Sequence, residues 1–294
     1  MFVAVLSDKP ELREKFCLSV GKEVSKDDIA FYSSENSGRT ITFVDPRLYP
    51  EKIQPLLYTL SMADAVVLLV DTLTPKIGEI IVALDSLGLD KGVLMASSPI
   101  PLKGTVLDKY EKVSDMEAAK AKALSLPEAA SGETTLALSE RTEAVKSVGN
   151  VAYSSVKSGK IRKQDKLFLL PERKDLEVRS IHVNGNEVEE AGAGTRIELA
   201  FKGDLFERGI IVPLRHEHQV ENVVNGKFVK SPFYKDEIKG RIHAYTNMQY
   251  VEGTVTDNDL TLLQPLAFEK GESILVVDAS NQKLRIAGVF KSKW

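Results

Sequence analysis

Apolar residues run along this chain in two rhythms, and the change between them falls near residue 130. Phe2 to Leu6 is an unbroken apolar run of strand length. Leu12, Phe16 and Val20 then recur at helical spacing inside a polar stretch from Glu11 to Lys22. Thr40 to Val44 predicts a strand and Tyr49 to Met62 an amphipathic helix. Ala65 to Val70 is continuously apolar, as a strand buried on both faces must be. Ile77 to Leu87, closed by Gly88, predicts another helix, and Gly92 to Ala96 another buried strand. Such alternation predicts a parallel sheet with helices on both faces. Lys109 to Leu126, rich in Ala, Lys and Glu, predicts a last helix, and Pro127 to Gly132 a linker.

From Thr134 the helical period is gone, and short strands recur between turn signals. The Asn-Gly pairs at 184–185 and 225–226 predict type I′ hairpins, because that turn needs positive φ at both central residues. This spacing suits β-barrels or sandwiches. A break near Gly209 to His218 leaves two pieces of barrel size. The expected organisation is an α/β domain over 1–130, a β-barrel over 131–208 and a second barrel over 209–294.

Charge sharpens this picture. The 294 residues carry a net charge of −3, which speaks against a chain whose main task is to coat nucleic acid. Residues 1–130 hold 15 basic and 19 acidic side chains, 131–208 hold 13 of each, and 209–294 hold 11 and 10. The acidity therefore sits in the α/β part. Lys157, Lys160, Arg162, Lys163 and Lys166 form one basic cluster; Lys227, Lys230, Lys235, Lys239 and Arg241 form another. Each is either an RNA-contacting patch or a lysine-guarded strand edge. Two clusters on adjoining barrels favour RNA. Phe228, Phe233, Tyr234, Tyr245 and Tyr250 accompany the second cluster, where aromatics either stack on unpaired bases or fill a barrel.

The lone Cys17 excludes an internal disulfide and a thiolate metal site. His216 and His218 share one strand face, as two metal ligands or as solvated or partner-facing imidazoles; no metal is expected. No apolar run reaches the length of a membrane span, and no basic segment precedes the first strand, so a cytoplasmic protein is expected.

Several segments resemble the second domain of translational GTPases: Val148-Gly149-Asn150-Val151, Ser158-Gly159-Lys160-Ile161, Asp165-Lys166-Leu167, Leu170-Pro171, Val178-Arg179-Ser180-Ile181 and Gly194-Thr195-Arg196-Ile197. Leu284-Arg285-Ile286-Ala287-Gly288 resembles the last strand of the third domain. The chain is most similar to the selenocysteine-specific elongation factors of the elongation factor Tu superfamily, without their fourth domain. That resemblance implies a P-loop GTPase-like α/β domain followed by two β-barrels.

It also implies where nucleotide chemistry ought to be. The family's Gly-rich loop cradles phosphates with backbone N–H groups, its Lys reaches the terminal phosphate, and its Ser/Thr holds Mg²⁺. Here the loop reads Ser7 to Glu14, and the family's last glycine, lysine and hydroxyl fall at Leu12, Arg13 and Glu14. Asp8, Glu11 and Glu14 repel a triphosphate, Pro10 removes a donor, and Arg13 is the favourable remnant. The Asp-x-x-Gly element reads Asp45-Pro46-Arg47-Leu48, with Leu48 in place of the glycine. The guanine-reading Asn-Lys-x-Asp is replaced by Ser97-Ser98-Pro99-Ile100-Pro101, and the chain then looks too short for the family's last strand and helix. A degenerate domain without cofactor or hydrolysis is expected.

By the same resemblance, Glu140 and Arg141 lie where the family has an acidic residue and a histidine, and Arg196 matches its Gly-x-Arg. Those residues imply a site for the acceptor end of tRNA or a small anion; otherwise Arg196 is a rim arginine paired with Glu140. Three functions stay open at this point: a non-hydrolysing binder of tRNA or ribosome, a scaffold whose acidic α/β domain meets a protein partner, and a factor that keeps residual GTP binding.

Overall fold

The computed structural model describes residues 1–97, 100, 103–128 and 132–293. Seven strands build the first sheet: β1 Phe2–Leu6, β2 Lys22–Lys26, β3 Ala30–Asn36, β4 Arg39–Asp45, β5 Ala65–Val70, β6 Gly92–Ala96 and β7 Glu111–Val113. Their order is β2-β3-β4-β1-β5-β6-β7. The pairs β1–β4, β1–β5, β5–β6 and β6–β7 are parallel, but β2–β3 and β3–β4 are antiparallel. The sheet is thus mixed and mostly parallel, where the alternation predicts a purely parallel one. A tight turn at Ser37-Gly38, with φ of 52° and 79°, reverses the chain between β3 and β4. β2 reads Lys-Glu-Val-Ser-Lys on the sheet's outer edge, so no apolar run betrays it.

Helices α1 Pro10–Val20, α2 Gln54–Met62, α3 Pro75–Leu87 and α4 Met116–Leu124 accompany the sheet. Val3 and Val5 of β1 pack with Phe16 and Cys17 of α1 and with Ala119 and Ala123 of α4. Strand alternation sends Ala4 and Leu6 to the opposite face. Thr74 caps α3 by accepting the Ile77 N–H at 3.2 Å, and Gly88 ends that helix in the left-handed conformation. Of the stretch Lys109 to Leu126, predicted as one helix, only Met116–Leu124 is helical and Glu111–Val113 is a strand, so the short region after β6 does hold a strand and a helix, β7 and α4. β7 reads Glu-Lys-Val and is three residues long, too polar and too brief to stand out from the helical stretch around it.

The middle strands are β8 Leu136–Val145, β9 Gly149–Ser158, β10 Lys160–Arg162, β11 Lys166–Leu170, β12 Lys174–Val183, β13 Asn186–Val188, β14 Glu190–Gly192, β15 Arg196–Lys202 and β16 Gly209–Pro213. The order β11-β16-β8-β9-β15-β12 closes on itself through β11–β12, while β10 and β14 make a separate two-stranded ribbon. Asn184-Gly185 turns as expected between β12 and β13, with φ of 51° and 77°. β16 pairs with β8 and β11, so the step between barrels follows Pro213 and not the expected 208–209 boundary. Gly and Pro flank that strand and disguise it as a break.

The second barrel is β17 Gln219–Lys230, β18 Ile242–Thr246, β19 Gln249–Val255, β20 Asp259–Phe268, β21 Ser273–Val277 and β22 Ile286–Ser292, closed in the order β17-β20-β19-β18-β21-β22. Here Asn225-Gly226 does not turn. Asn225 pairs with Asp259 inside β17, and the Gly226 N–H donates to the Asn258 carbonyl at 2.8 Å. The ladder overrides the local signal. By contacts the chain divides into two compact units. One holds Met1–Glu128, Phe228–His243 and Ser273–Phe290; the other holds Ala129–Lys227, Ala244–Glu272 and Lys291–Trp294. Among the described residues no helix is long and apolar enough to cross a membrane.

Gly209 shows how tightly the first barrel closes. A Cβ there would sit 2.6 Å from the Leu170 carbonyl oxygen, and main chain cannot give way easily. Gly209→Ala is expected to lower stability by about 1–3 kcal/mol, read as a lower denaturant midpoint.

Candidate functional site

Only Ser7, Asp8 and Lys9 separate the end of β1 from the start of α1. Pro10 opens the helix, where a missing N–H is harmless. Asp8 accepts a hydrogen bond from Thr74 at 2.7 Å, and Lys9 pairs with Asp71. Leu12 packs against the core shared by α1 and α4. Glu14, expected to face the loop, instead takes Lys26 of β2 at 2.7 Å, and that ammonium holds its carboxyl below the ordinary value. The Leu48 N–H donates to the Asp28 carbonyl at 3.4 Å.

Arg13 is the centre of this region, and its side chain is wholly buried. Its Nε donates to Asp45 Oδ1 at 2.6 Å and its Nη1 to the Ser7 carbonyl at 2.6 Å. Its Nη2 reaches the carbonyls of Pro46 at 3.2 Å, Arg47 at 3.4 Å and Tyr49 at 2.8 Å. A buried charge survives only when paired and hydrogen-bonded, and here both conditions hold. Burial pushes the Asp45 carboxyl above its ordinary value, with Arg13 pulling the other way. Arg13 thus ties the β1–α1 turn to the end of β4 and to the segment that follows it.

That segment leads to a second buried pair. The Tyr49 hydroxyl donates to the Lys76 carbonyl at 2.7 Å and lies 3.3 Å from Glu79 Oε1. Glu79, wholly buried on α3, receives Arg285 through Nε, Nη2 and the main-chain N–H, the last at 2.8 Å from Oε2. Arg285 Nη1 also reaches the Glu51 carbonyl at 3.2 Å. One continuous polar path therefore runs Arg13–Tyr49–Glu79–Arg285. Burial disfavours the Glu79 carboxylate, but Arg285 and Lys76 outweigh it and leave it below the ordinary value of 4.5.

On the middle barrel, Glu140 sits at a bulge in β8 and is buried. Arg196 grips both its oxygens, Nε at 3.1 Å and Nη2 at 2.8 Å from Oε2, and the Ser155 hydroxyl donates to Oε1 at 3.0 Å. Arg196 and Ser155 are cross-strand partners, which brings the three together. Next to them the Tyr153 ring carries the Arg141 guanidinium 4.2 Å from its centroid. Tyr153 donates to Glu143 at 2.6 Å, and burial with that carboxylate pushes its hydroxyl up to about 12. Glu140, Arg141 and Arg196 are thus one cluster, and the Glu140–Arg196 pairing is a fact of it. Tyr153, Ser155 and Glu143 were not legible beforehand; only the alternation along β9 could have flagged the first two.

The first basic cluster is largely neutralised. Lys160 and Arg162 of β10 meet Glu190 of β14 at 2.6 and 3.0 Å, and Lys163 meets Glu187 and Glu189 at 2.8 Å each. Lys157 is half-buried. In the second cluster, Lys230 and Lys235 donate to the carbonyls of Asp236 and Pro232 at 2.6 Å each, and Arg241 directly precedes β18. Tyr234 and Tyr245 are buried, Phe228 and Tyr250 half-buried, and Phe233 exposed. His216 stacks on Phe168 with ring centres 5.7 Å apart, and His218 Nε2 lies 3.4 Å from Glu269. His218 is half-buried, its ring edge-on to that of His216 with centres 5.8 Å apart. Among the described residues no group of three or more His, Cys, Asp or Glu side chains is placed to hold a metal ion. Ser98, Pro99 and Pro101 of the expected guanine-reading segment lie outside the described residues.

No family model matches this sequence. The uncharacterized protein MJ0325 of Methanocaldococcus jannaschii is 29% identical over 297 residues, covering 92% of this chain and 95% of that one. Among solved structures, elongation factor SelB of Methanococcus maripaludis, in complex with the GTP analogue GppNHp, superposes with a TM-score of 0.82 at 18% identity. That match covers all of this chain and 79% of SelB. The chain has the fold of a SelB translation elongation factor. The apo form of the same SelB gives 0.80 at 15% identity. A bacterial selenocysteine-specific factor, EF-Sec, gives 0.72 at 17%, over 98% of this chain and 58% of that one. Within this SelB-like fold, Arg13 and Asp45 belong to the α/β domain, and Glu140, Arg141 and Arg196 to the barrel that follows it.

The Glu79–Arg285 pair makes a pH signature. Its carboxyl is held below the ordinary value, so its contribution is present above about pH 4.5 and is lost as pH falls through the lower folded value. Glu79→Gln is expected to cost about 3–5 kcal/mol near neutrality, and the gap to wild type should narrow in acid. Thermal melts of both proteins across pH 3–7 check this.

Proposed function

We propose that this protein is a SelB-like translation factor that binds RNA and neither holds nor hydrolyses GTP. The observation that carries the reading is the buried Arg13 guanidinium beneath the first turn of α1. A phosphate cradle needs a Gly-rich loop whose N–H groups converge on the anion and a lysine reaching outward. The turn here has three residues, and the cation at the lysine position is committed to Asp45 and to four main-chain carbonyls. A phosphate entering there would have to pull Arg13 away and leave Asp45 buried, charged and facing the anion. That penalty opposes binding.

The RNA part of the reading draws on the middle barrel. Arg196 is anchored by Glu140, and Arg141, about two-fifths exposed, lies over Tyr153. An oriented guanidinium beside an aromatic ring suits a phosphate and terminal base of the tRNA acceptor end. The likeness to SelB, an elongation factor, agrees with such a partner. The acidic α/β domain would suit a basic protein partner instead, which is the competing outcome in any capture experiment.

Titration calorimetry with GTP and Mg²⁺ is expected to give no saturable heat; micromolar binding would overturn the proposal. Arg141→Gln is expected to weaken tRNA binding about tenfold in filter assays, at an unchanged melting temperature. A flat, salt-independent response by wild type would remove the RNA reading.

A further inference from the structure

The 231–241 loop, between β17 and β18, combines features that do not fit a passive connection. It is firmly braced. The Ser231 N–H donates to the Ala287 carbonyl at 2.8 Å and the Tyr234 N–H to the Ser231 carbonyl at 3.1 Å. The buried Tyr234 gives its hydroxyl to Asp278 at 2.6 Å, and the Asn281 amide holds Asp236 at 2.7 Å. Two ammonium groups lie on the loop's own main chain: Lys230 on the Asp236 carbonyl and Lys235 on the Pro232 carbonyl, each at 2.6 Å. Lys230 also lies 5.5 Å from the Tyr234 ring centre.

Out of this braced loop comes Phe233, which is 59% exposed. A large aromatic ring in a mobile loop would fold back onto apolar neighbours. Here the residue after it fills the buried position, and the ring is left facing solvent on a fixed support. The loop and its flanks carry more cations than acids: between 230 and 241 stand Lys230, Lys235, Lys239 and Arg241 against Asp236 and Glu237. Each of the two placed lysines uses one of its three donors on the loop's main chain, which fixes two charges on the same braced segment that carries Phe233.

We infer that this loop is a contact for unpaired RNA, with Phe233 as a stacking platform and Lys230 and Lys235 as phosphate partners. Stacking tolerates any base, and the lysines follow the backbone, so the site selects single strands and not sequence. A duplex keeps its bases stacked on each other and offers the ring no face. The preorganised loop loses little freedom on binding. The inference rests on the reading that the protein binds RNA, and it adds a second contact to the one on the middle barrel.

The test uses the full chain and a fluorescein-labelled RNA of about twelve nucleotides, single-stranded or annealed to its complement, in anisotropy titrations. Phe233→Ala is expected to weaken single-strand binding about tenfold and to leave duplex binding unchanged, while Phe233→Trp keeps it. Lys230→Gln with Lys235→Gln is expected to reduce the slope of log affinity against log salt by about 1.4. Phe233→Ala binding single strands within about twofold of wild type, or weakening both forms alike, overturns the inference. Phe233-dependent capture of a protein that survives ribonuclease also overturns it. If tRNA binds through Arg141 with no effect of Phe233, this loop alone is excluded; if wild type binds no RNA in any form, both readings fall.

Discussion

The burial of a single guanidinium organises the α/β domain. Arg13 cannot be where it is unless Asp45 compensates its charge and the carbonyls of Ser7, Pro46, Arg47 and Tyr49 take up its donors. Those partners come from the β1–α1 turn, the end of β4 and the segment beyond it. Removing any one leaves a buried donor of Arg13 short of a hydrogen bond. The turn is short, and the segment after β4 is folded inward, because both must present carbonyl oxygen to the same cation.

From there order passes along chemically specific links. Tyr49 faces two ways, its carbonyl to Arg13 and its hydroxyl toward Lys76 and Glu79. Glu79 in turn accepts three donors of Arg285. Both ion pairs are expensive to desolvate and stable only when complete, which favours one arrangement over near alternatives. The middle barrel repeats the device on a smaller scale: Glu140 is buried because Arg196 and Ser155 satisfy it. In all three places an acid is taken out of water and an arginine is fixed as a result.

Much of the fold was legible because it is written in apolar rhythm. The runs Phe2 to Leu6, Ala65 to Val70 and Gly92 to Ala96 are strands at those positions, and the Asn184-Gly185 turn forms as its backbone preference requires. What escaped was written in polar residues or decided at long range. β2 and β7 carry almost no apolar pattern, and Asn225-Gly226 is held straight by a partner strand that local sequence cannot reveal. The same division holds for the candidate sites. Arg13, Asp45, Glu140 and Arg196 were identifiable as positions. Their roles were not, since whether an arginine points at a ligand or into its own domain depends on carbonyls supplied from 30 and more residues away. The cluster 160–163 shows the converse: its cations are matched by Glu187, Glu189 and Glu190, so a count along the chain overstated its charge.

The Arg13 arrangement has a consequence in terms of mass action. A cation or anion drawn from solution orders a protein only to the degree that its concentration exceeds its dissociation constant. A guanidinium that is part of the chain has no free pool and no departure rate. The 45–49 segment is therefore tied down without any ligand having to be supplied, and its order belongs to the fold instead of being a readout of supply.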